Sequence, residues 1–115
     1  MLSIGTDIVK IDRIKNLSKD VKFLNKIFSD KELEYCNSYS DPAIHLSGKY
    51  AAKEAVKKAL LSSRLLDRVS MKAIEVLNNK DKSPYITLSI VKDVKCKVSI
   101  SHDGNYAIAF VIIEK

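Results

Sequence analysis

The chain of 115 residues carries 20 lysines and arginines against 14 aspartates and glutamates, which gives a net charge of +6, and 46% of its residues are hydrophobic. This apolar content excludes a disordered chain, and three glycines and two prolines exclude a collagen-like or low-complexity one. No apolar stretch approaches the roughly 20 residues of a membrane span, and the first residues do not predict a signal peptide. The length predicts one domain over residues 1–115, and a pI near 9.3 predicts an anionic partner.

The first quarter of the chain predicts a strand followed by short helices. Residues 2–8 alternate as a short strand, and apolar residues at every third position from Ile8 to Leu17 predict one or two helical turns. A second short helix is expected to begin near Asp20.

Two start signals predict the helices that follow. Ser29 and Glu32 have the spacing of a capping box. Asp41 and Pro42 predict an N-cap with proline at the first helical position, and residues 44–61 form an Ala-rich segment that is the strongest helix signal in the chain.

The second half of the chain is rich in β-forming residues. An Asp-Gly pair at 103–104 predicts a hairpin turn. The predicted strands are residues 74–77, 85–91, 96–101 and 106–113. The fold class is therefore α+β, with an N-terminal strand, several helices including one long central helix, and a C-terminal antiparallel β-meander.

Asp7 is the first candidate for chemistry, because a carboxylate is disfavoured inside an apolar strand. One interpretation makes Asp7 the N-cap of the following helix. The other makes it a metal ligand or a general base at the end of a strand.

Glu54 and Lys58 form the second candidate on the long helix. Their i,i+4 spacing suits a surface ion pair. However, small side chains surround Glu54, which would let another backbone or a ligand approach closely; they are Ala51, Ala52, Ala55 and Ala59.

His102 ends a Ser-x-Ser-His run at 99–102. Adjacent residues of a strand point to opposite faces, so this run does not form a catalytic triad. His102 is instead a turn residue or a donor to an anionic ligand. Two carboxylates that bind a hard cation, with lysines around it, are a common arrangement for handling a diphosphate.

The two cysteines, Cys36 and Cys96, lie far apart and have no metal-ligand spacing. We therefore expect free thiols in a reducing cytoplasm. The basic residues are spread along the chain without an aromatic stacking pattern, which argues against a nucleic-acid platform.

With these motifs in order, the chain resembles the holo-acyl-carrier-protein synthases, the small type of 4′-phosphopantetheinyl transferase. Ala51-Ala52-Lys53-Glu54-Ala55 is similar to the central helix motif of the family. The other matching blocks are residues 4–14, which include Gly5-Thr6-Asp7, residues 28–32, and residues 99–109, which begin Ser99-Ile100-Ser101-His102.

The resemblance implies transfer of 4′-phosphopantetheine from coenzyme A to a serine of apo-acyl carrier protein. It also implies release of adenosine 3′,5′-bisphosphate, dependence on Mg²⁺, a role in fatty acid biosynthesis, and a homotrimer with active sites between subunits. Because the attacking serine belongs to the partner protein, the enzyme needs no nucleophile of its own. The base that takes the serine proton is left open between Glu54 and a metal-bound water.

The resemblance also implies roles for individual residues. Asp7 and Glu54 would hold the metal, Lys58 would neutralise the diphosphate as the third catalytic residue, and Arg13 would face the acidic carrier protein. The residues expected to contact coenzyme A are Lys49, Lys53, Lys58, Pro84, Ser101 and His102.

Three positions depart from the family pattern. Lys49 stands where the family usually has arginine, which keeps the charge and loses the bidentate fork. The turns at 61–64 and 82–84 lack the usual glycines, although Pro84 is retained. We expect both turns to be stiffer than in the family.

A second function also accounts for the charge. A non-catalytic basic α+β module would bind an acidic protein or a nucleic acid. In that case Glu54 and Lys58 would form a surface pair and Asp7 would be a helix cap.

Overall fold

A computed structural model describes residues Met1–Lys115. Strands and helices follow one another in the predicted order, so the α+β class is confirmed. The elements are β1 (Leu2–Lys10), α1 (Ile11–Leu17), α2 (Val21–Ile27), α3 (Asp30–Asn37), α4 (Pro42–Ser62), a 3-10 turn (Met71–Ala73), β2 (Ile74–Asn78), β3 (Pro84–Leu88), β4 (Lys95–Asp103) and β5 (Tyr106–Glu114).

The strands form two antiparallel sheets, so the predicted meander is divided in two. Strand β5 lies between β1 and β4, and β2 pairs with β3 in a separate hairpin. The β4–β5 turn contains Gly104 at φ +55°, as its Asp-Gly pair predicts. The chain therefore brings its first strand beside its last one.

Helix α4 packs across the three-stranded sheet because small residues let the two backbones approach closely. A Cβ atom added to Gly5 would lie 1.9 Å from the carbonyl oxygen of Ala55, so β1 and α4 touch at that point. The buried alanines of α4 belong to this contact. The small residues around Glu54 thus make room for the backbone of β1. A close backbone and a ligand were the two alternatives that the sequence left open.

Three local predictions differ from the structure. Strand β1 continues to Lys10, so the first helix begins at Ile11 and not at Ile8. Asp41 precedes Pro42 at the start of α4, but its side chain caps no backbone N–H. Strand β3 ends at Leu88, three residues before its predicted end. The capping box of Ser29 and Glu32 is confirmed, and Asp20 caps α2.

The three-stranded sheet has one buried face and one exposed face. Ala107, Ala109 and Val111 of β5 are buried under α4. The alternate positions of β1 and β5 present an exposed apolar face that consists of Leu2, Ile4, Ile8, Tyr106, Ile108 and Phe110. No helix combines the length and the apolar character needed to cross a membrane.

Candidate active site

Asp7 lies in β1 on the side that faces α4, and a lysine of that helix reaches it. Lys58 Nζ lies 3.1 Å from Asp7 Oδ1 and donates a second hydrogen bond, also 3.1 Å long, to the carbonyl oxygen of Thr6. The Lys58 side chain is 56% exposed and the Asp7 side chain 16%. This pair is therefore open to a ligand.

Glu54 lies one helical turn before Lys58 and is partly buried. One turn earlier again, burial and then the charge of Glu54 raise the pKa of Tyr50, Arg13 opposes them, and the charge of Asp7 adds a smaller rise. Both carboxylates are thus near the same phenol. We call Asp7, Glu54 and Lys58 the outer group.

The structure rejects the non-catalytic interpretations of these residues. Asp7 is not a helix cap, because the N-cap of α1 is Lys10, and Lys10 has no side-chain cap bond. Lys58 pairs with Asp7 and not with Glu54. Both features on which the binding-module alternative depended are therefore wrong.

The outer group fits a hard divalent cation better than a zinc ion. It offers two carboxylates, and no cluster of three or more His, Cys, Asp or Glu side chains occurs in the chain. Mg²⁺ commonly takes one or two protein carboxylates and completes its shell with substrate phosphate and water, whereas zinc sites need three or four protein ligands. Asp7 and Glu54 therefore suit Mg²⁺ in the presence of a phosphate ligand.

Arg13 lies beside this group on the exposed side of α1. Its guanidinium carbon is 5.9 Å from the centre of the Tyr50 ring, and Phe23 of α2 packs on the same ring with centroids 6.1 Å apart. Arg13 is thus held close to the outer group and remains exposed.

Lys53 does not face a ligand, so its predicted role in binding coenzyme A is wrong. Its side chain is completely buried, and its Nζ lies 2.7 Å from Glu32 Oε1. It also donates to the carbonyl oxygens of Met71 and Ile74. The three protons of the ammonium group are all used inside the protein. Burial lowers the pKa of Lys53, and the Glu32 carboxylate opposes that shift.

Glu32 connects three elements through the same carboxylate. One oxygen accepts from the backbone N–H of Ser29 at 2.8 Å, and the other accepts from the N–H of Val76 at 2.8 Å. Glu32 therefore joins α3, α4 and β2. We call Glu32, Lys49 and Lys53 the inner group.

Lys49 is also mostly buried, although it reaches the wall of a cavity. Its Nζ donates to the Val76 carbonyl at 2.5 Å and to Asn78 Oδ1 at 2.6 Å, and it lies 4.6 Å from the centre of the Tyr35 ring. Burial lowers its pKa. Lys49 thus holds β2 in place with two hydrogen bonds, and its ammonium group also contributes positive charge to the wall of the cavity.

This cavity has a volume of about 430 Å³ and lies between α3, α4, β4 and the β2–β3 turn. No carboxylate lines it. Its basic and polar lining consists of His45, Lys49, Asn78, Lys82 and His102. Such a cavity favours an anionic ligand.

The cavity also has an aromatic wall. The rings of Tyr39 and His45 are stacked with centroids 3.7 Å apart and an angle of 19° between their planes. Tyr35 and Tyr39 share a hydrogen bond of 2.9 Å between their hydroxyl groups, and Lys82 Nζ lies 5.7 Å from the centre of the Tyr39 ring. The wall can therefore pack against a planar, apolar group.

The cavity includes three of the six predicted coenzyme A residues, Lys49 among them, and excludes Ser101 as well as Lys53 and Lys58. Pro84 and His102 line it together. Ser101 is exposed and pairs with Ile108 on the opposite face of the sheet. The strand alternation that points His102 toward the cavity points Ser101 away from it.

Sequence reasoning missed most of this wall. Tyr39, His45 and Asn78 belong to no motif, whereas Lys82 stands in the 82–84 turn that the family pattern singled out; the four residues come from separate segments that only folding brings together. The one available signal was that His45 is one of only two histidines.

The glycine-poor turns keep a glycine-like backbone conformation. Lys82 has a φ of +72° and Arg64 a φ of +61°. Side chains rarely adopt this left-handed region, and each such residue costs about 1–2 kcal/mol relative to glycine. Lys82 thus accepts backbone strain at the position where its side chain also lines the cavity.

Comparison with known proteins agrees with this geometry. The family model of the 4′-phosphopantetheinyl transferase superfamily matches residues 3–111. The holo-[acyl-carrier-protein] synthase of Thermodesulfovibrio yellowstonii is 44% identical over 96% of each chain, and that of Protochlamydia amoebophila is 40% identical over 96% of each chain.

Solved structures show the same relationship. The ACPS–CoA complex of Chronobacterium ammoniagenes superposes with a TM-score of 0.87 at 26% identity, covering 99% of this chain and 97% of that one. The holo-[acyl-carrier-protein] synthase of Helicobacter pylori in complex with coenzyme A has a TM-score of 0.80 at 32% identity, with 96% and 99% covered. The chain belongs to the 4′-phosphopantetheinyl transferase superfamily, among the holo-acyl-carrier-protein synthases.

Proposed function

We propose that this protein transfers 4′-phosphopantetheine from coenzyme A to a serine of apo-acyl carrier protein and releases adenosine 3′,5′-bisphosphate. One observation carries the proposal: Lys58 of α4 and Asp7 of β1 meet at an exposed edge, with Lys58 Nζ 3.1 Å from Asp7 Oδ1, and Glu54 lies one helical turn before Lys58. Solved relatives in complex with coenzyme A support the same donor. The work of the enzyme is then to position a diphosphate and a hydroxyl group.

The reaction exchanges one phosphorus–oxygen bond for another. The carrier serine oxygen attacks the phosphorus that bears pantetheine, and the bond to the departing adenosine 3′,5′-bisphosphate breaks. The serine proton leaves to a base, and Glu54, one of the two carboxylates of the outer group, is one of the two candidates named from the sequence. Lys58 stabilises the charge that develops on the phosphate oxygens, since its ammonium is exposed and keeps donor capacity toward a ligand.

Asp7 and Glu54 would hold Mg²⁺ in this site. The ion would supply electrostatic stabilisation of the diphosphate. Asp7 stays oriented toward the site through its contact with Lys58.

The cavity would receive the nucleotide end of coenzyme A. A purine ring could pack on the aromatic wall of Tyr39 and His45, while Lys49, Lys82 and His102 provide positive charge for phosphate groups. The cavity would then bind the nucleotide end of coenzyme A, and the outer group would bind its diphosphate.

Arg13 would contact the acidic carrier protein. It is exposed and lies near the outer group through its contact with Tyr50. Opposite charge speeds encounter more than it tightens a complex. Arg13→Glu should therefore raise the KM for carrier protein and leave the affinity for coenzyme A unchanged.

The protein would act as a homotrimer with its sites between subunits. The exposed apolar face of the sheet supports this assembly, because apolar patches of that kind usually mark an interface. Ser101 lies on that face and would reach coenzyme A only across such a contact. A molar mass of three times 12.9 kDa by light scattering is expected, and Phe110→Lys should reduce it.

We also propose that residues 1–115 form a single transferase domain that works in the cytoplasm. One cluster of 21 buried apolar residues, drawn from both halves of the chain, supports a single domain. Cys36 and Cys96 are free thiols, which suits a reducing compartment.

The test of function is mass spectrometry of apo-acyl carrier protein after incubation with this protein, coenzyme A and Mg²⁺. We expect the carrier protein to gain the mass of one phosphopantetheine group at a serine. The proposal fails if several carrier proteins remain unmodified while a known synthase modifies them under the same conditions.

A further inference from the structure

His45 is a titratable side chain of the cavity to which neither the outer nor the inner group assigns a task. Its ring is held on Tyr39 at 3.7 Å and meets the edge of Tyr35 at 6.1 Å and 83°. Its ring nitrogens have no hydrogen-bond partner in the chain. Every fully buried side-chain nitrogen or oxygen of the protein has such a partner, so the His45 nitrogens are open to solvent. The imidazole is thus fixed in orientation and free to bind a ligand in the cavity.

The groups that face His45 are mostly positive. Three cationic or titratable side chains approach from α4, the β2–β3 turn and β4, whereas one carboxylate approaches from the loop before α4. These groups, with the two phenols of the wall, are Lys49, Lys82, His102, Asp41, Tyr35 and Tyr39. Burial lowers the pKa of His45, and His102 and Lys49 lower it further, while Asp41 opposes them.

A phosphate group in the cavity would reverse this balance. Its negative charge would offset the repulsion from the neighbouring Lys49 and Lys82, and its oxygens would accept a hydrogen bond from the imidazolium. Both changes favour the charged form of the ring. Because the stacking on Tyr39 fixes the ring, little side-chain freedom would be lost on binding.

We propose that His45 is a proton-linked anion-binding residue, which takes up a proton when a phosphate group of the donor binds in the cavity. The proton comes from solvent, and no other bond forms or breaks. The inference rests on the proposed function, since coenzyme A and adenosine 3′,5′-bisphosphate supply the phosphate. The role of His45 is binding, separate from the chemistry at Asp7 and Glu54.

The presence of only two histidines makes a direct test feasible, because NMR shows two imidazole Cε1–H signals. His45→Phe assigns them and keeps an aromatic ring on Tyr39. We expect the titration midpoint of His45 to rise by about one pH unit or more when adenosine 3′,5′-bisphosphate is added, which is roughly a tenfold change in proton affinity. An unchanged midpoint, or a rise confined to His102, would overturn the proposal.

Calorimetry separates this inference from the proposed function. With Mg²⁺ present and two buffers of different ionisation enthalpy, the wild-type protein should take up more protons on binding the bisphosphate than His45→Phe does. The variant should bind about tenfold more weakly at pH 6 and nearly equally at pH 8, when the histidine would be neutral in both states. Equal pH dependence in both proteins contradicts the role of His45, whereas absence of any bisphosphate or coenzyme A binding contradicts the proposed function itself.

Discussion

Two lysines of helix α4 each pair with a carboxylate of another element, and the two pairs have similar chemistry and opposite exposure. Lys53 and Glu32 lie 2.7 Å apart and are both 0% exposed, whereas Lys58 and Asp7 lie 3.1 Å apart and are 56% and 16% exposed. The first pair uses its hydrogen bonds to hold strands and helices together. The second leaves charge available to a substrate. The comparison shows that position around the helix, and not residue type, separates a structural pair from a functional one.

The largest effect is expected from breaking the buried pair. Lys53→Met leaves the Glu32 carboxylate buried without its counter-charge, which costs about 3–5 kcal/mol of unfolding free energy. Urea unfolding followed by circular dichroism measures this. The matched control is Lys57→Met, which removes a lysine of the same helix that forms no ion pair and should change stability by less than about 0.5 kcal/mol. Equal stability of the two variants would contradict the structural role of Lys53.

Breaking the exposed pair should reverse the pattern, with activity lost and stability kept. Asp7→Asn removes a charge of the outer group, so we expect transfer to carrier protein to fall by roughly 10²- to 10³-fold. Its unfolding free energy should change by no more than about 1 kcal/mol, because Lys58 is largely exposed. Asp12→Asn, an exposed change on α1, is the control and should keep full activity. Near-normal turnover of Asp7→Asn would move the site elsewhere.

His45, which lies beside Lys49 of the inner group, makes a smaller pH effect testable. Burial and nearby positive charges, including Lys49, lower the pKa of His45 below its ordinary 6.5. The unfolded chain therefore binds the proton more readily, so stability is fully present above pH 6.5 and is lost as pH falls through the lowered pKa. We expect the wild-type protein to lose more stability than His45→Phe between pH 7 and pH 5. Parallel losses in thermal denaturation would mean that His45 does not contribute.

The smallest stability effects are expected at the two strained turns. Glycine at position 64 or 82 adopts the positive φ without strain, which stabilises the folded protein, but it also raises the conformational entropy of the unfolded chain. Because the two effects oppose each other, each substitution should change the free energy of unfolding by less than about 1 kcal/mol. Only Lys82 lines the cavity. Lys82→Gly should therefore weaken coenzyme A binding while Arg64→Gly does not, as isothermal titration would show. Equal affinities would remove Lys82 from the binding surface.

The local elements were predictable where the signal is local. The capping box at Ser29 and Glu32, the proline that opens α4, and the Asp-Gly turn each depend on residues within a few positions of one another, and each is confirmed. The burial of Lys53 was not predictable. Its three acceptors come from Glu32 and from the chain around residues 71–74, which the helix pattern does not reveal.

The candidate site divides in the same way. Asp7, Glu54 and Lys58 stand out as charged residues among apolar or small ones, and the family resemblance assigns them together. Strand alternation places Ser101 and His102 on opposite faces, but the sequence could not say which face meets the ligand, nor join Tyr39, His45 and Lys82 into one wall. Such groupings depend on which face of each element is covered.

The sequence by itself determined the α+β class, the starts of α2, α3 and α4, and the family, because these follow from spacing, caps and motifs that neighbouring residues carry. Only the tertiary structure decided which lysines of α4 are buried and that a cavity without carboxylates lies beside His45. The physical reason is that the environment of a charge is set by side chains distant in sequence. Burial, hydrogen-bond partners and neighbouring charges then decide whether the same ammonium group braces the fold or meets a phosphate.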